Sequence, residues 1–177
     1  MMLVTHKKGK HHSNPRRLKI GKMNGLIGQF VMSRTAAYTL EGNDQDDWNK
    51  LIGISFHLLT SHKNSVMIGW RYCPDLDDFE FCAYWHKNGE RGFTNTLLSV
   101  KPNEPFFGNI IMKGSRATVS LRAKDNSGTF SIDFDKPNKC RRLITPWFGG
   151  NNAAPGTITF QQDIKIVKNE IDYDEYD

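Results

Sequence analysis

The chain has 177 residues, 38% hydrophobic and 24% charged, with 11 Phe, 5 Tyr, 4 Trp and a formal net charge of +5. That length predicts one domain able to bury a core without disulfide or metal staples, and the aromatic content excludes a disordered chain. No apolar run reaches the length of a membrane-spanning helix, and the first residues lack the apolar stretch of a secretory signal, so none is expected.

Residues 1–22 carry Lys7, Lys8, Lys10, Arg16, Arg17, Lys19 and Lys22 and no acid. They read as a basic N-terminal arm, suited to phosphates, an acidic protein face or anionic lipid. Beyond it, period-two alternation dominates. Ile52, Ile54, Phe56 and Leu58 repeat on one face, followed by Val66, Ile68, Trp70 and Tyr72. Phe79, Phe81, Ala83 and Trp85 share one face while Glu80, Cys82, Tyr84 and His86 share the other. Ala117, Val119, Leu121 and Ala123, then Phe130, Ile132 and Phe134, continue the pattern. Such alternation predicts strands with one buried and one mixed face.

Turn residues punctuate these runs at 23–25, 42–44, 61–64, 74–75, 87–89, 101–103, 125–128, 136–138 and 149–152. Asn88-Gly89 is the strongest hairpin signal, because a tight primed turn needs positive φ. Gly149 and Gly150 permit positive φ or close approach of another backbone, so Phe148 ends one strand and Ile158 and Phe160 return to the core. The expectation is an all-β, two-sheet antiparallel sandwich of jelly-roll or concanavalin-like type, with about ten or eleven strands. It spans 23–168, between the arm at 1–22 and an acidic tail at 169–177 bearing Asp172, Asp174, Glu175 and Asp177.

Several groups are candidates for chemistry. Trp70 is read as core, which sends Arg71 to the opposite face with Met67 and Gly69, and Tyr84 and His86 onto the neighbouring strand. Arg, Tyr and His on one concave face suit an acidic sugar or β-elimination. The segment YWHKNGERG (84–92) is loosely similar to the Tyr-x-Lys-x-Gly strand of alginate lyases, but that family's Gln-Ile/Val-His and Arg-x-Glu-x-Arg strands are missing. Trp85, Tyr72, Tyr84, Trp147 and Phe148 are further candidates for stacking on sugars. The acids of 44–47 and 75–78 fall in loops, which argues against the paired carboxylates of a glycosidase. Asn43–Asp47 has calcium-type oxygen ligands but lacks EF-hand spacing, and the histidines show no metal-ligand spacing, so no metal and no cofactor is expected. Cys73 and Cys82 flank a turn; centred on Asp77-Asp78, it would set the two thiols opposite each other on adjacent strands, where a disulfide could form, but two reduced, half-buried thiols are the expected state.

The runs DDWNKLIGISFHLLTSHKNSVMIGWRY (46–72) and PWFGGNNAAPGTITF (146–160) resemble a group of small, uncharacterised β-sandwich proteins of Bacteroidetes and their phages. The resemblance covers about residues 46–160 and implies the sandwich fold, with no activity to carry over. That group's Ala-Pro-His-Asp is Ala-Pro-Gly-Thr here, at Ala154 to Thr157.

A compact sandwich without a catalytic constellation, and two oppositely charged ends able to reach neighbouring subunits, together predict a non-enzymatic phage structural protein, either capsid accessory or decoration protein or head–tail component, located in the virion after assembly in the host cytoplasm. Its partners would be other virion subunits such as a major capsid protein, in a homo-oligomer. Lys7, Lys8, Lys10, Arg16 and Arg17 would dock against carboxylates such as Asp172, Asp174, Glu175 and Asp177. The alternative is a carbohydrate-binding module using Arg71, Tyr84, Trp85, His86 and Trp147. Nucleic-acid contact through the arm is a weaker reading, and no membrane partner is expected.

Overall fold

The computed structural model describes residues 1–16, 18–150 and 152–169. The described residues form fourteen strands: β1 (Met2–His6), β2 (Ser13–Asn14), β3 (Ile20–Lys22), β4 (Gly25–Met32), β5 (Asn49–Ser55), β6 (Ser65–Cys73), β7 (Asp78–Lys87), β8 (Glu90–Phe93), β9 (Leu98–Val100), β10 (Pro105–Lys113), β11 (Arg116–Arg122), β12 (Ser127–Asp133), β13 (Cys140–Ile144) and β14 (Ile158–Val167). Two short 3₁₀ turns, Arg34–Ala36 and Gly42–Asp46, are the only helical segments among the described residues.

The first sheet runs β12-β11-β10-β4-β14-β1-β2 and the second runs β3-β13-β5-β6-β7-β8, with β9 also on β7. The pairing is antiparallel throughout. This is a two-sheet jelly-roll sandwich, as the alternation predicts. The inner faces meet in one core in which Phe30, Phe79, Phe81, Phe106, Phe148, Phe160 and Trp70 are each under 2% exposed. Burying each such ring contributes about 2–3 kcal/mol before entropy is counted, so the core dominates stability. The Asn88-Gly89 hairpin forms as expected, with φ of 54° and 90°. The β10–β11 turn at Gly114 (φ 60°) escaped the turn reading, because a lone glycine between Lys113 and Ser115 lacks the Asn or Asp that marks most tight turns.

The N-terminal arm is corrected. Residues 1–22 are part of the sandwich, because β1 lies between β14 and β2 in the first sheet. Val4 and His6 point into the core at 0% exposure. After β1 the chain crosses to the second sheet: Gly9 N–H donates to the Ala154 carbonyl (2.9 Å), Phe148 N–H to His11 (2.8 Å) and Leu143 N–H to Lys19 (2.9 Å). β3 then pairs with β13. Charge counting missed this because ladder hydrogen bonds use backbone groups that every sequence carries. Lys7, Lys8, Lys10 and Arg16 remain exposed. Arg17, Asp172, Asp174, Glu175 and Asp177 lie outside the described residues.

The cross-strand placement considered for the two thiols does not form. The β6–β7 register pairs Cys73 with Asp78 and Gly69 with Cys82. The turn is therefore Pro74–Asp77, with Asp77 at φ 52°, and the two thiols are not opposite. All three cysteines are free.

Candidate functional site

The outer face of the second sheet can be read row by row from its register. One row holds Arg142, Ser55, Ser65, His86 and Arg91; the next holds Ile144, Gly53, Met67, Tyr84 and Phe93. The third carries Lys50, Gly69 and Cys82, with Trp147 beside Lys50 through a β-bridge. The fourth pairs Arg71 with Glu80. Trp48, Met67, Cys82 and Tyr84 form a second, small hydrophobic cluster on this face. Gly53 keeps its floor low, since a Cβ there would lie 2.3 Å from Met67 Cγ.

Lys50 reaches this face through a β-bulge between Lys50 and Ile52. Counting by twos from Ile52 sends Lys50 inward. The bulge inserts Leu51 as a second inward residue, so Leu51 and Ile52 are both buried in the core while Lys50 turns outward over the Tyr84 ring, 4.9 Å from its centroid.

A cleft of about 410 Å³ opens here. Lys50, Met67, His86, Arg142 and Ile144 form its floor, with His12, Arg16, Leu18, His62 and Trp147 around it. No carboxylate lines it among the described residues. Nor does Lys50, Arg142, Arg16 or Arg91 have an ion-pair partner among them. Arg142 Nε is buried without an acceptor. Lys50 donates to the Trp48 carbonyl (3.0 Å); burial lowers its pKa, opposed by the Asp47 carboxylate.

His86 sits in a defined hydrogen-bond chain. Ser65 Oγ donates to the Ser61 carbonyl (2.6 Å) and lies 3.2 Å from His86 Nδ1. With the hydroxyl proton engaged, Ser65 accepts from Nδ1–H, a tautomer that leaves the Nε2 lone pair free. Burial, then repulsion from His62, Lys50 and Arg91, lowers the His86 pKa to about 4. The imidazole is therefore neutral near pH 7. Its ring lies 5.6 Å from Tyr84 and 5.1 Å from His62. Burial raises the Tyr84 pKa, opposed by the Arg91 charge.

Tyr84, His86 and Trp147 thus come together, and Arg71 shares their face. Arg71 is already engaged: it pairs with Glu80 at 2.8 Å and Asp46 at 3.4 Å and stacks over Trp48 at 4.5 Å. It is therefore withdrawn as a sugar-binding cation. Trp85 is withdrawn as well, because it points to the inner side and stacks on Phe130 at 4.9 Å. Tyr72 and Phe148 are likewise core residues.

Lys50, Arg142, Arg91 and His62 were missed. A bulge hides Lys50, and the others are isolated charged residues whose convergence depends on strands distant in sequence. The loop acids are held by protein partners: Asn152 Nδ2 donates to Asp44 (2.7 Å), Arg34 and Tyr72 hold Asp77, and Lys101 pairs with Asp78 at 2.7 Å. Among the described residues, no group of three or more His, Cys, Asp or Glu is placed to hold a metal ion.

No protein-family model and no curated protein matches the chain. Solved structures do. An alginate lyase from Klebsiella pneumoniae superposes with TM-score 0.60 at 10% identity, over 82% of this chain and 61% of its own. A Bacteroides ovatus mixed-linkage glucan GH16 protein gives 0.54 at 8% identity, over 93% and 80%. A functionally unknown protein from Saccharomyces cerevisiae gives 0.51 at 8%, over 93% and 88%. The chain spans about three-fifths of the lyase's length, and at such identities the likeness is one of fold.

These neighbours overturn the expectation of a phage structural component, because the fold is shared with jelly-roll carbohydrate-active enzymes. The physical basis of that expectation fails too, since the basic arm is built into the two sheets. The fold is one that enzymes also use, so it does not carry the expected non-enzyme.

Proposed function

We propose that the outer face of the second sheet binds an acidic polysaccharide, a polymer of uronic acids. The carrying observation is the carboxylate-free cleft in which Lys50, Arg142, Arg16 and three histidines converge. Cations without an ion-pair partner among the described residues, over an apolar floor, suit a ligand that alternates carboxylates with apolar ring faces. Hydrolysis by paired carboxylates fits poorly, because Glu80, the acid on the central strands of this face, is engaged by Arg71.

Affinity electrophoresis tests this binding. Gels containing polymannuronate, polygalacturonate or hyaluronate are expected to retard the protein, and added salt to release it. A neutral β-glucan gel should leave its mobility unchanged. Equal retardation by the neutral polymer, or none by any acidic one, overturns the proposal.

The free lone pair of neutral His86 supports a second reading, β-elimination in the same cleft. There Nε2 would take the proton from the sugar carbon beside the carboxylate. Lys50 or Arg142 would hold that carboxylate, and the Tyr84 hydroxyl would protonate the departing glycosidic oxygen as the double bond forms. Ultraviolet absorbance of the unsaturated product measures this step directly. Binding without any such absorbance leaves the protein a recognition module.

A further inference from the structure

β13 carries two adjacent arginines that alternate faces. Arg142 turns outward and lines the cleft. Arg141 turns inward and is 3% exposed. It lines a different cavity, of about 630 Å³, that shares no residue with the cleft. Gly114 and Ser115 of the β10–β11 turn line this cavity, as do Asp135, Lys136 and Lys139 of the loop between β12 and β13.

Arg141 Nε donates to the Asn138 carbonyl at 2.8 Å and Nη1 to the Met23 carbonyl, and the guanidinium lies over the Phe56 ring. Both acceptors are neutral, and Nη2 has no acceptor among the described residues. No carboxylate there pairs with Arg141, Lys136 or Lys139. A guanidinium keeps its charge when buried, and a buried charge without a counter-ion is costly. Asp135 is the one carboxylate lining the cavity among the described residues, and it accepts from Asn88 Nδ2 at 3.3 Å. Three cations against one carboxylate leave two positive charges unanswered.

We propose that this cavity is a second binding site, for a doubly charged oxyanion, phosphate or sulfate, held by the buried Arg141 and by Lys136 and Lys139 of the loop. The anion supplies the counter-charge that Arg141 lacks, and charge-assisted hydrogen bonds hold it. It binds the folded chain alone, so it stabilises the fold. The site is independent of the polysaccharide reading.

Inorganic phosphate and sulfate are titrated against the full chain at a pH where phosphate is a dianion. Sodium chloride keeps the ionic strength constant, and NMR follows the backbone amides. Saturable shifts are expected at Gly114, Ser115 and Lys139, together with a rise in Tm. The anion that saturates at the lower concentration identifies the group. Lys136→Asn with Lys139→Gln changes two exposed positions, and Asn tolerates the φ of 46° at residue 136. This variant is expected to keep the Tm measured in chloride and to bind about tenfold or more weakly. Lys50→Glu with Arg142→Glu, in the cleft, should leave the shifts in place. Shifts confined to cleft residues, unchanged affinity in the Lys136 and Lys139 variant, or no response beyond that to chloride overturns the proposal.

Discussion

The outer faces of the two sheets are built on the same pleat and differ in how their polar groups are satisfied. On the first sheet, Arg116 pairs with Asp133 at 3.0 Å, Thr118 with Ser131 at 2.9 Å and Thr129 with Ser120 at 3.3 Å. Arg122 lies over Phe107. Charges and hydroxyls there answer one another across adjacent strands, the usual way a solvated sheet face is stabilised. On the second sheet Arg71 and Glu80 answer each other in the same way, but around the cleft cations gather over an apolar floor that no carboxylate lines among the described residues. Collecting like charges over a half-buried surface is unfavourable to the fold. Such a face suits a ligand that brings the missing carboxylates, whereas the first sheet's face answers most of its polar groups within itself.

The turns that serve the two sheets differ in the same sense and give the largest expected effect. At Gly149 (φ 70°) a Cβ would meet the Asn152 carbonyl oxygen at 1.9 Å, whereas at Gly114 (φ 60°) it would meet nothing. Gly149→Val should destabilise the protein by about 3 kcal/mol or more, and Gly114→Ala by about 1 kcal/mol. Chemical denaturation measures both; similar losses would show that the end of the cleft is not tightly built.

The next effect concerns acid. His6 is fully buried with Nδ1 3.1 Å from the His11 carbonyl, and burial lowers its pKa from 6.5 to about 4. The unfolded chain binds this proton more readily, so the native state is fully favoured above about pH 6.5 and loses stability as pH falls towards 4. The loss reaches roughly 3 kcal/mol. A His6→Gln variant should show a flatter profile between those pH values in thermal unfolding. An unchanged slope would move the acid sensitivity elsewhere.

Charge reversal addresses the two faces directly. Lys50→Glu with Arg142→Glu should weaken retardation by acidic polysaccharide about a hundredfold, because each substitution removes one charge-assisted hydrogen bond to a ligand carboxylate. Arg116→Glu on the first sheet should leave it unchanged. Equal losses from both would mean that net charge, and not the cleft, holds the polymer.

The smallest effect distinguishes Arg71 from its neighbours. Arg71→Ala leaves Glu80, with 12% of its side chain exposed, without its cation, which should cost about 1–2 kcal/mol of stability. Polysaccharide binding should persist. Lost binding in a fully folded Arg71 variant would return this residue to the site.

Local pattern carried much of this architecture. Strict alternation placed Trp70 inside and Arg71, Tyr84 and His86 outside before any strand was paired, because side chains on a pleated strand must alternate faces. Asn88-Gly89 announced its hairpin for an equally local reason, the positive φ that both residues tolerate. The same alternation already set Trp85 on the face opposite Tyr84, against its use as a sugar platform.

Other features depended on partners far away in the chain. Lys50 faces the cleft because β5 bulges against β6, and a bulge is defined only by a partner strand. Arg71 is neutralised by Glu80 across the β6–β7 pair and by Asp46 from a separate turn. The basic N-terminal residues became β1 and β3 by pairing with residues 140–162, and His12, Arg16 and Leu18 came to line the cleft. Residue order dictates which face a side chain takes. Which charges meet on that face, and which stay unanswered, follows from strand register and docking, and these depend on backbone geometry that no single stretch of sequence contains.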